Sequence, residues 1–157
     1  KSITNNYLSF SRGKERKILE INDTKLDLKI LPLICYEIIY SGKLFTNPNF
    51  DLIVNISEDG WFGDTIGPEQ HFTHSIFRAI ESGKYIVRSS NNGIAAIINP
   101  LGVIEKKLKF GQSGYIDLEK MKKIKTTIFS IYGNKIFGLL ILLYIFLIFS
   151  SNRIKNE

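Results

Sequence analysis

The first third of the chain alternates apolar and charged residues before it becomes wholly apolar. Residues 17–21 (KILEI) and 25–34 (KLDLKILPLI) flank the turn-forming triplet Asn-Asp-Thr, and this pattern predicts a β-hairpin. The second strand becomes continuously apolar toward Cys35, as a strand does when it enters a core. Residues 51–56 (DLIVNI) predict another buried strand, and the chain between Gly42 and Pro48 predicts a short helix or turn.

The middle of the chain changes from helical to strand-like spacing. Pro68 stands where helices begin, and apolar residues recur at helical spacing from there to Gly83. Residues 84–90 and 94–100 predict two strands joined by the tight turn Asn-Asn-Gly.

A turn at residues 100–102 leads into residues 103–110, and residues 114–118 (GYIDL) predict a last short strand. Strands and helices therefore alternate along the chain. This alternation predicts an α/β fold.

A glycine-rich loop, residues 57–67 (SEDGWFGDTIG), separates the second buried strand from the helix. It carries acidic residues and the single tryptophan of the chain. Trp61 and Phe62 could form an exposed apolar lip, or they could fold back on the core. The residues alone favour neither arrangement.

The end of the chain is apolar on every side. The 17 residues between Lys135 and Arg153 carry no charge, and Leu, Ile and Phe occupy every helical face. This length lies at the lower edge of a membrane span, and we expect a span rather than a buried helix of a soluble domain. The pattern predicts a transmembrane helix over residues 133–152 and a short basic tail over 153–157, both after the main portion of the chain over 1–132.

Length and charge argue against a nucleic-acid-binding function. The 157 residues suit one domain, and the net charge of +6 is modest for a nucleic-acid-binding protein. No stretch mixes basic and aromatic residues as RNA-binding strands do, so we expect no nucleic-acid partner. The chain begins at Lys1 and its only methionine is Met121. We therefore expect it to be the later part of something longer.

Cys35, the only cysteine, is the first candidate for chemistry. A cysteine nucleophile needs a thiolate, an access route and donors for an oxyanion, and a strand end followed by a turn can supply the last two. Glu37 could accept or orient a proton. A lone cysteine in an apolar run is more often an inert core residue, so both interpretations stay open here.

His71 and His74 are the second candidate, because two histidines three residues apart share one helix face. Apart from Glu69 beside them, no carboxylate or cysteine stands at the companion spacing of a zinc site. We expect capping or packing roles and no metal.

Longer motifs indicate a family. The segments ICYEII, NISEDGWFGDTIGPEQHF and RAIESGKYIVRSSNNGIAAIINPLG, with the closing apolar helix, closely resemble the apolipoprotein N-acyltransferases. These enzymes are the membrane-bound branch of the nitrilase (carbon–nitrogen hydrolase) superfamily. The resemblance begins near Ser9 and covers nearly the whole chain. It implies that residues 1–132 are the C-terminal portion of a nitrilase-like catalytic domain, which is part of a four-layer α-β-β-α sandwich, and that a C-terminal transmembrane helix follows.

The resemblance also implies a two-step acyl transfer without a cofactor or metal. The Cys35 thiolate attacks a phospholipid ester, typically of phosphatidylethanolamine, and the acyl chain then passes to the N-terminal amine of a diacylglyceryl-cysteine lipoprotein. The backbone N–H of Tyr36 would help bind the oxyanion, and Glu37 matches a supporting acidic residue. Trp61 and Phe62 would bind substrate near the acyl-chain entrance.

The family's glutamate base and oxyanion-binding lysine precede the stretch that this chain matches. We therefore expect the chain to be inactive alone, with a separately encoded N-terminal half as one source of the missing groups. A non-catalytic membrane-anchored remnant and a nitrilase-like amidase are the alternatives. The resemblance places the protein in a bacterial inner membrane with its catalytic part on the periplasmic side. Basic residues flank both ends of the span, and a bare count of them favours the opposite orientation.

Overall fold

The computed structural model describes residues 16–24, 26–42, 44 and 48–155, with side chains up to Ser151. The predicted start of the second hairpin strand at Lys25 lies outside the described residues. So do most of the predicted turn between Gly42 and Pro48 and the last two residues of the basic tail.

A mixed sheet of six strands, β1 to β6 in chain order, organises the described residues. The three strands β2, β3 and β4 run parallel, whereas β1 is antiparallel to β2, and β5 and β6 continue antiparallel from β4. The predicted hairpin, the strand before the glycine-rich loop and the two strands around Asn-Asn-Gly are confirmed. The strands are β1 (Leu19–Asp23), β2 (Leu26–Ile34), β3 (Leu52–Glu58), β4 (Tyr85–Asn91), β5 (Ala95–Ile98) and β6 (Ile104–Leu108).

Helix α1 (Gly67–Ser82) connects β3 to β4, as the spacing predicts. It has proline in its first turn, and it ends at Gly83, whose φ of +67° lets its N–H bond the Ala79 carbonyl. Two short 3₁₀ turns lie at strand ends: the cysteine turn (Cys35–Ile39) after β2 and the tryptophan turn (Gly60–Phe62) after β3.

The main core lies between α1 and one face of the sheet. Odd-numbered positions of β2 and β3 and even-numbered positions of β4 point toward the helix, because side chains alternate along a strand. The buried apolar members of this cluster include Leu31, Leu33, Ile38, Ile53, Phe72, Ala79, Ile86 and Ile98.

The opposite sheet face is covered by the segment that follows β6. Ile116, Leu118 and Met121 pack there against a smaller buried cluster that contains Leu28 and Tyr85. The predicted strand over residues 114–118 is wrong, because this segment forms no strand. Its apolar residues are partly buried by packing on the face of the sheet, so their alternation does not require pairing with a strand edge.

Two further helices, α2 (Ile128–Tyr132) and α3 (Lys135–Lys155), end the chain. The large apolar side chains of α3 from Leu139 to Phe149 are all exposed. Within the described residues, no helix reaches the combined length and apolar character that a membrane crossing requires. The α/β class is confirmed, whereas the described part of the chain contains one sheet rather than the two of a four-layer sandwich.

Truncating a core residue of β3 should destabilise the protein far more than truncating an exposed residue of the same strand. Ile53 is 0% exposed and Ile56 is 61% exposed. We expect Ile53→Ala to lower the free energy of unfolding by about 2–5 kcal/mol, because a cavity remains beside α1. Ile56→Ala should change it by about 0.5 kcal/mol or less. Urea unfolding of both variants tests this, and equal losses would contradict the assigned strand faces.

Candidate active site

The candidate site lies where the three parallel strands end. Since parallel strands place their carboxyl ends at one sheet edge, the residues that follow β2, β3 and β4 converge there. Cys35 follows β2, Asp59 follows β3, and Ser90 is near the end of β4. This edge is the usual position of binding and catalytic sites in open α/β sheets.

Cys35 occupies an unusual backbone conformation. Its φ is +49°, in the left-handed region that costs a non-glycine residue roughly 1–2 kcal/mol. Its side chain is a partly exposed free thiol, and Sγ lies 3.6 Å from Ser57 Oγ and 4.0 Å from the Glu58 carbonyl oxygen. The cysteine is therefore not an enclosed core residue. Strained backbone of this kind clusters at functional sites.

Glu37 fixes the junction between β2 and the cysteine turn. One carboxylate oxygen accepts the Ile34 N–H at 2.8 Å, and the other lies 2.7 Å from Arg16 Nη2. Partial burial alone would raise the pKa of Glu37. The Ile34 hydrogen bond and the Arg16 cation outweigh burial and hold this pKa below its ordinary value. The carboxylate thus stays ionised, and its two oxygens are held by the Ile34 N–H and by Arg16.

Tyr36 is the second residue of the cysteine turn. The first N–H groups of a helix have no partner within that helix, which is the property that an oxyanion donor needs. Its ring packs near the His71 ring, with 5.5 Å between centroids.

Trp61 and Phe62 differ in their positions. One of them is exposed, and the other folds back toward the core, so each of the two arrangements that the sequence left open occurs once. Trp61 is 84% exposed and forms the lip. Phe62 folds back, and its ring centroid lies 5.5 Å from that of His71. A Cβ atom on Gly67 would come within 2.7 Å of Phe62, so the glycine at the start of α1 allows this packing.

A buried polar network lies behind Cys35, and the sequence analysis did not identify it. Its centre is Asp59, which is 0% exposed. One carboxylate oxygen lies 2.8 Å from His71 Nδ1 and 2.7 Å from Ser57 Oγ, and the other lies 2.7 Å from both Arg88 Nη2 and Ser90 Oγ. Buried polar side chains inside apolar strands are the signal that could have found it, because such groups need partners.

Four donors surround the Asp59 carboxylate. Burial alone would raise the pKa of Asp59, but the hydrogen bonds from His71, Ser57 and Ser90 and the charge of Arg88 hold it far below its ordinary value. Because the carboxylate accepts at Nδ1, the imidazole carries its proton on that nitrogen. Nε2 of His71 is buried and has no hydrogen-bond partner among the described residues.

The Asn-Asn-Gly turn after β4 has a steric function beside this network. Asn92 takes the positive φ of the turn, +52°. Gly93 instead permits a close approach, because a Cβ atom there would lie 2.1 Å from Asp59 Oδ2 and 2.3 Å from Ser90 Oγ. Any side chain at position 93 would displace the Asp59 carboxylate.

The two histidines of α1 lie in different environments. His71 binds Asp59, whereas the pKa of His74 is lowered by burial, by Arg78 and by His71. The described part of the chain contains no group of three or more His, Cys, Asp or Glu side chains placed to hold a metal ion.

Comparison with known proteins decides the family. The sequence profile of the carbon-nitrogen hydrolases matches residues 3–125. This chain belongs to the carbon–nitrogen hydrolase family.

Two curated relatives of this family member are similar over most of the chain. The apolipoprotein N-acyltransferase of Rickettsia bellii (strain RML369-C) is 46% identical over 135 residues, which are 85% of this chain and 26% of that protein. The apolipoprotein N-acyltransferase of Rickettsia prowazekii (strain Madrid E) is 47% identical over 112 residues, 70% of this chain and 23% of that protein. The chain therefore spans about a quarter of the length of these relatives.

A solved carbon–nitrogen hydrolase superfamily protein from Xanthomonas campestris, described with an arsenic adduct in its active site, shares the fold. It is 18% identical with a TM-score of 0.52, covering 69% of this chain and 45% of that one. At this identity the likeness concerns the fold alone.

Removing the charge of Asp59 should destabilise the protein strongly at neutral pH. Asp59→Asn leaves the buried Arg88 guanidinium without its counterion, and we expect a loss of about 3–5 kcal/mol. Asp64→Asn, at an exposed carboxylate of the same loop, should change stability by about 0.5 kcal/mol or less. Because the folded pKa of Asp59 is depressed, its contribution is complete above about pH 4 and is lost as the pH falls toward the folded value.

The difference between wild type and Asp59→Asn should therefore shrink by about 1.4 kcal/mol for each pH unit below pH 4. Urea unfolding at pH 7, 4 and 3 measures it. A difference that stayed constant over this range would mean that Asp59 is not the titrating group.

Proposed function

We propose that this chain provides the nucleophile of a lipoprotein N-acyltransferase, with Cys35 carrying the acyl group. The observation that carries the proposal is the left-handed, partly exposed cysteine at the carboxyl end of β2 in a carbon–nitrogen hydrolase fold. The similarity to apolipoprotein N-acyltransferases supports this branch of the family over an amidase.

The proposed reaction has two acyl-transfer steps. The Cys35 thiolate attacks the ester carbonyl of a phospholipid, the carbon–oxygen bond breaks, and a lysophospholipid leaves with a proton. The amine of a diacylglyceryl-cysteine then attacks the thioester, the carbon–sulfur bond breaks, and the amine loses a proton as the amide forms. The thioester keeps the acyl group activated between the two steps.

Groups around Cys35 fit these steps. The Tyr36 N–H would stabilise the oxyanion in both, because each passes through a tetrahedral centre on the same carbon. Glu37 would act as a supporting acid by holding the cysteine turn through its bond to Ile34. Trp61, exposed at the lip, and Phe62 would contact the acyl chain as it enters.

The base that takes the thiol proton would come from outside this chain. The family resemblance implies a glutamate base and a lysine that precede the matched stretch, and we propose a separately encoded N-terminal half as their source. The sheet face opposite α1 supports such a partner, because the segment after β6 leaves a groove of about 380 Å³ there, lined mostly by apolar side chains of β2, β3 and β4. The isolated chain would then be inactive in acyl transfer.

We propose that helix α3, whose described residues alone are not long and apolar enough for a full crossing, holds the protein in a bacterial inner membrane together with its flanking residues, with the catalytic part on the periplasmic side. Its exposed apolar side chains cover all faces of the helix, with no polar stripe that would suit a water-facing side. Flanking basic residues can reach the headgroups while their stems stay in the apolar zone.

Replacing the nucleophile should abolish acyl transfer without changing the fold. In an assembly that supplies the implied base and lysine, Cys35→Ser should remove the acyl-enzyme and the product, because a serine hydroxyl ionises far less readily than a thiol. Tyr40→Phe, an exposed change just after the cysteine turn, should leave the rate within about twofold. Mass spectrometry with labelled phosphatidylethanolamine measures both. Comparable transfer by Cys35→Ser would exclude Cys35 as the nucleophile, and no transfer by the wild-type assembly would favour the remnant.

Removing α3 should release the protein from membranes. A chain ending at Tyr132 should move to the supernatant on carbonate washing, while the intact chain stays in the pellet. Leu142→Arg should weaken insertion by about 3 kcal/mol, whereas Leu142→Ala at the same position should have a much smaller effect. If the intact chain washed off as readily as the shortened one, a nitrilase-like amidase would become the better interpretation.

A further inference from the structure

We propose that Arg88 is the positioning residue of Cys35, acting on the cysteine backbone through one guanidinium nitrogen and on its sulfur through the other. This inference rests on the proposed role of Cys35 as the nucleophile. The Arg88 side chain is 0% exposed, so it does not touch a substrate. Its effect must pass through the residues that it holds.

The first arm reaches the Cys35 carbonyl. Arg88 and Asn55 are paired across β4 and β3, and Arg88 Nη1 donates to Asn55 Oδ1. This contact fixes the orientation of the amide, because only its oxygen can accept from arginine. Nδ2 of Asn55 is therefore directed at two carbonyl oxygens, those of Leu33 at 3.1 Å and Cys35 at 3.3 Å.

The second arm reaches the Cys35 sulfur. Arg88 Nη2 donates to Asp59 Oδ2 at 2.7 Å, and the other oxygen of that carboxylate lies 2.7 Å from Ser57 Oγ. Ser57 Oγ is in turn 3.6 Å from Cys35 Sγ. The hydroxyl has one proton, which it can give to the carboxylate while its lone pairs face the thiol, or turn toward a thiolate.

The two arms explain how a non-glycine residue stays in the left-handed region. Such a conformation persists only when its surroundings over-determine it, and here the carbonyl and the sulfur of one residue are both held from the same buried side chain. A guanidinium can do this because its planar fork presents separate nitrogens to separate acceptors. A lysine has the charge but only one nitrogen.

The test uses the alkylation of Cys35 by iodoacetamide in the full chain, followed from pH 6 to 10.5. The chain has one cysteine, so the signal is unambiguous. At the high-pH plateau every thiol is ionised, and the plateau rate reports the accessibility of the sulfur rather than its titration. Hydrogen exchange of the cysteine turn and of α1, with thermal unfolding, separates local from global loosening.

Two variants break the arms differently. Arg88→Lys keeps the charge and loses the fork. Asn55→Asp keeps an acceptor for Arg88 Nη1, but it replaces the donor to the Leu33 and Cys35 carbonyls by a carboxylate oxygen and adds a negative charge beside Arg88. Ser89→Ala is the matched control, because Ser89 follows Arg88 on β4 but is exposed, on the sheet face opposite to Arg88.

We expect both arm variants to lower the plateau rate at least about threefold, because relaxation to a negative φ turns the sulfur away from the open side of the turn. They should also speed hydrogen exchange in the cysteine turn at least about tenfold while α1 stays protected. Ser89→Ala should match wild type in both measurements.

An unchanged plateau in a folded Asn55→Asp protein would overturn the proposal, as would loosening of the whole sheet together with the turn. If Arg88→Lys does not fold, Asn55→Asp alone decides, since it keeps the Arg88–Asp59 pair. Alkylation needs neither lipid nor lipoprotein, so this test can succeed or fail independently of the acyltransferase assignment.

Discussion

The buried pair of Asp59 and Arg88 is the interaction on which the candidate site depends. Two opposite charges removed from water are tolerable when they are paired and the carboxylate has further hydrogen-bond donors, and here four donors surround the carboxylate. Meeting that requirement brings together the end of β3, the middle of β4 and the start of α1. The same hydrogen bonds thus stabilise the buried charges and hold the cysteine turn in place.

Local features of the chain were readable from the sequence because they depend on residues close together. The hairpin β1–β2, helix α1 with its proline start and glycine end, and the position of Cys35 at a strand end all follow from periodicity and turn chemistry. Long-range features were not. Arg88 and Asp59 are 29 residues apart, and nothing in either local pattern says that they meet. An apolar alternation also cannot distinguish a strand from a segment lying on a sheet, which is why the pattern of residues 114–118 predicts a strand that does not form.

The candidate site follows the same rule: its local residues are predictable from the sequence, and its long-range contacts are not. Family motifs indicate Cys35, Tyr36 and Glu37 as site residues, and the fold places this stretch in a turn at the end of β2, while their roles stay a prediction. The sequence could not separate Trp61 from Phe62, because the choice depends on whether His71 and Gly67 leave room for a ring. It also treated His71 as a capping or packing residue, since the partner of that imidazole comes from another element.

Three paired residues form a row across the parallel strands β2, β3 and β4: Leu33, Asn55 and Arg88. This row limits the insertions that the sheet can accept. Side chains of a strand alternate between faces, so slipping β3 by one residue against β2 would turn Asn55 to the opposite face while leaving a ladder of normal hydrogen bonds. The Cys35 carbonyl would lose its donor, and a buried guanidinium would face an apolar side chain. Only one pairing of these strands brings Asn55 between Leu33 and Arg88, so an insertion or deletion within β3 would remove the support that we propose for Cys35 even where the sheet itself survives.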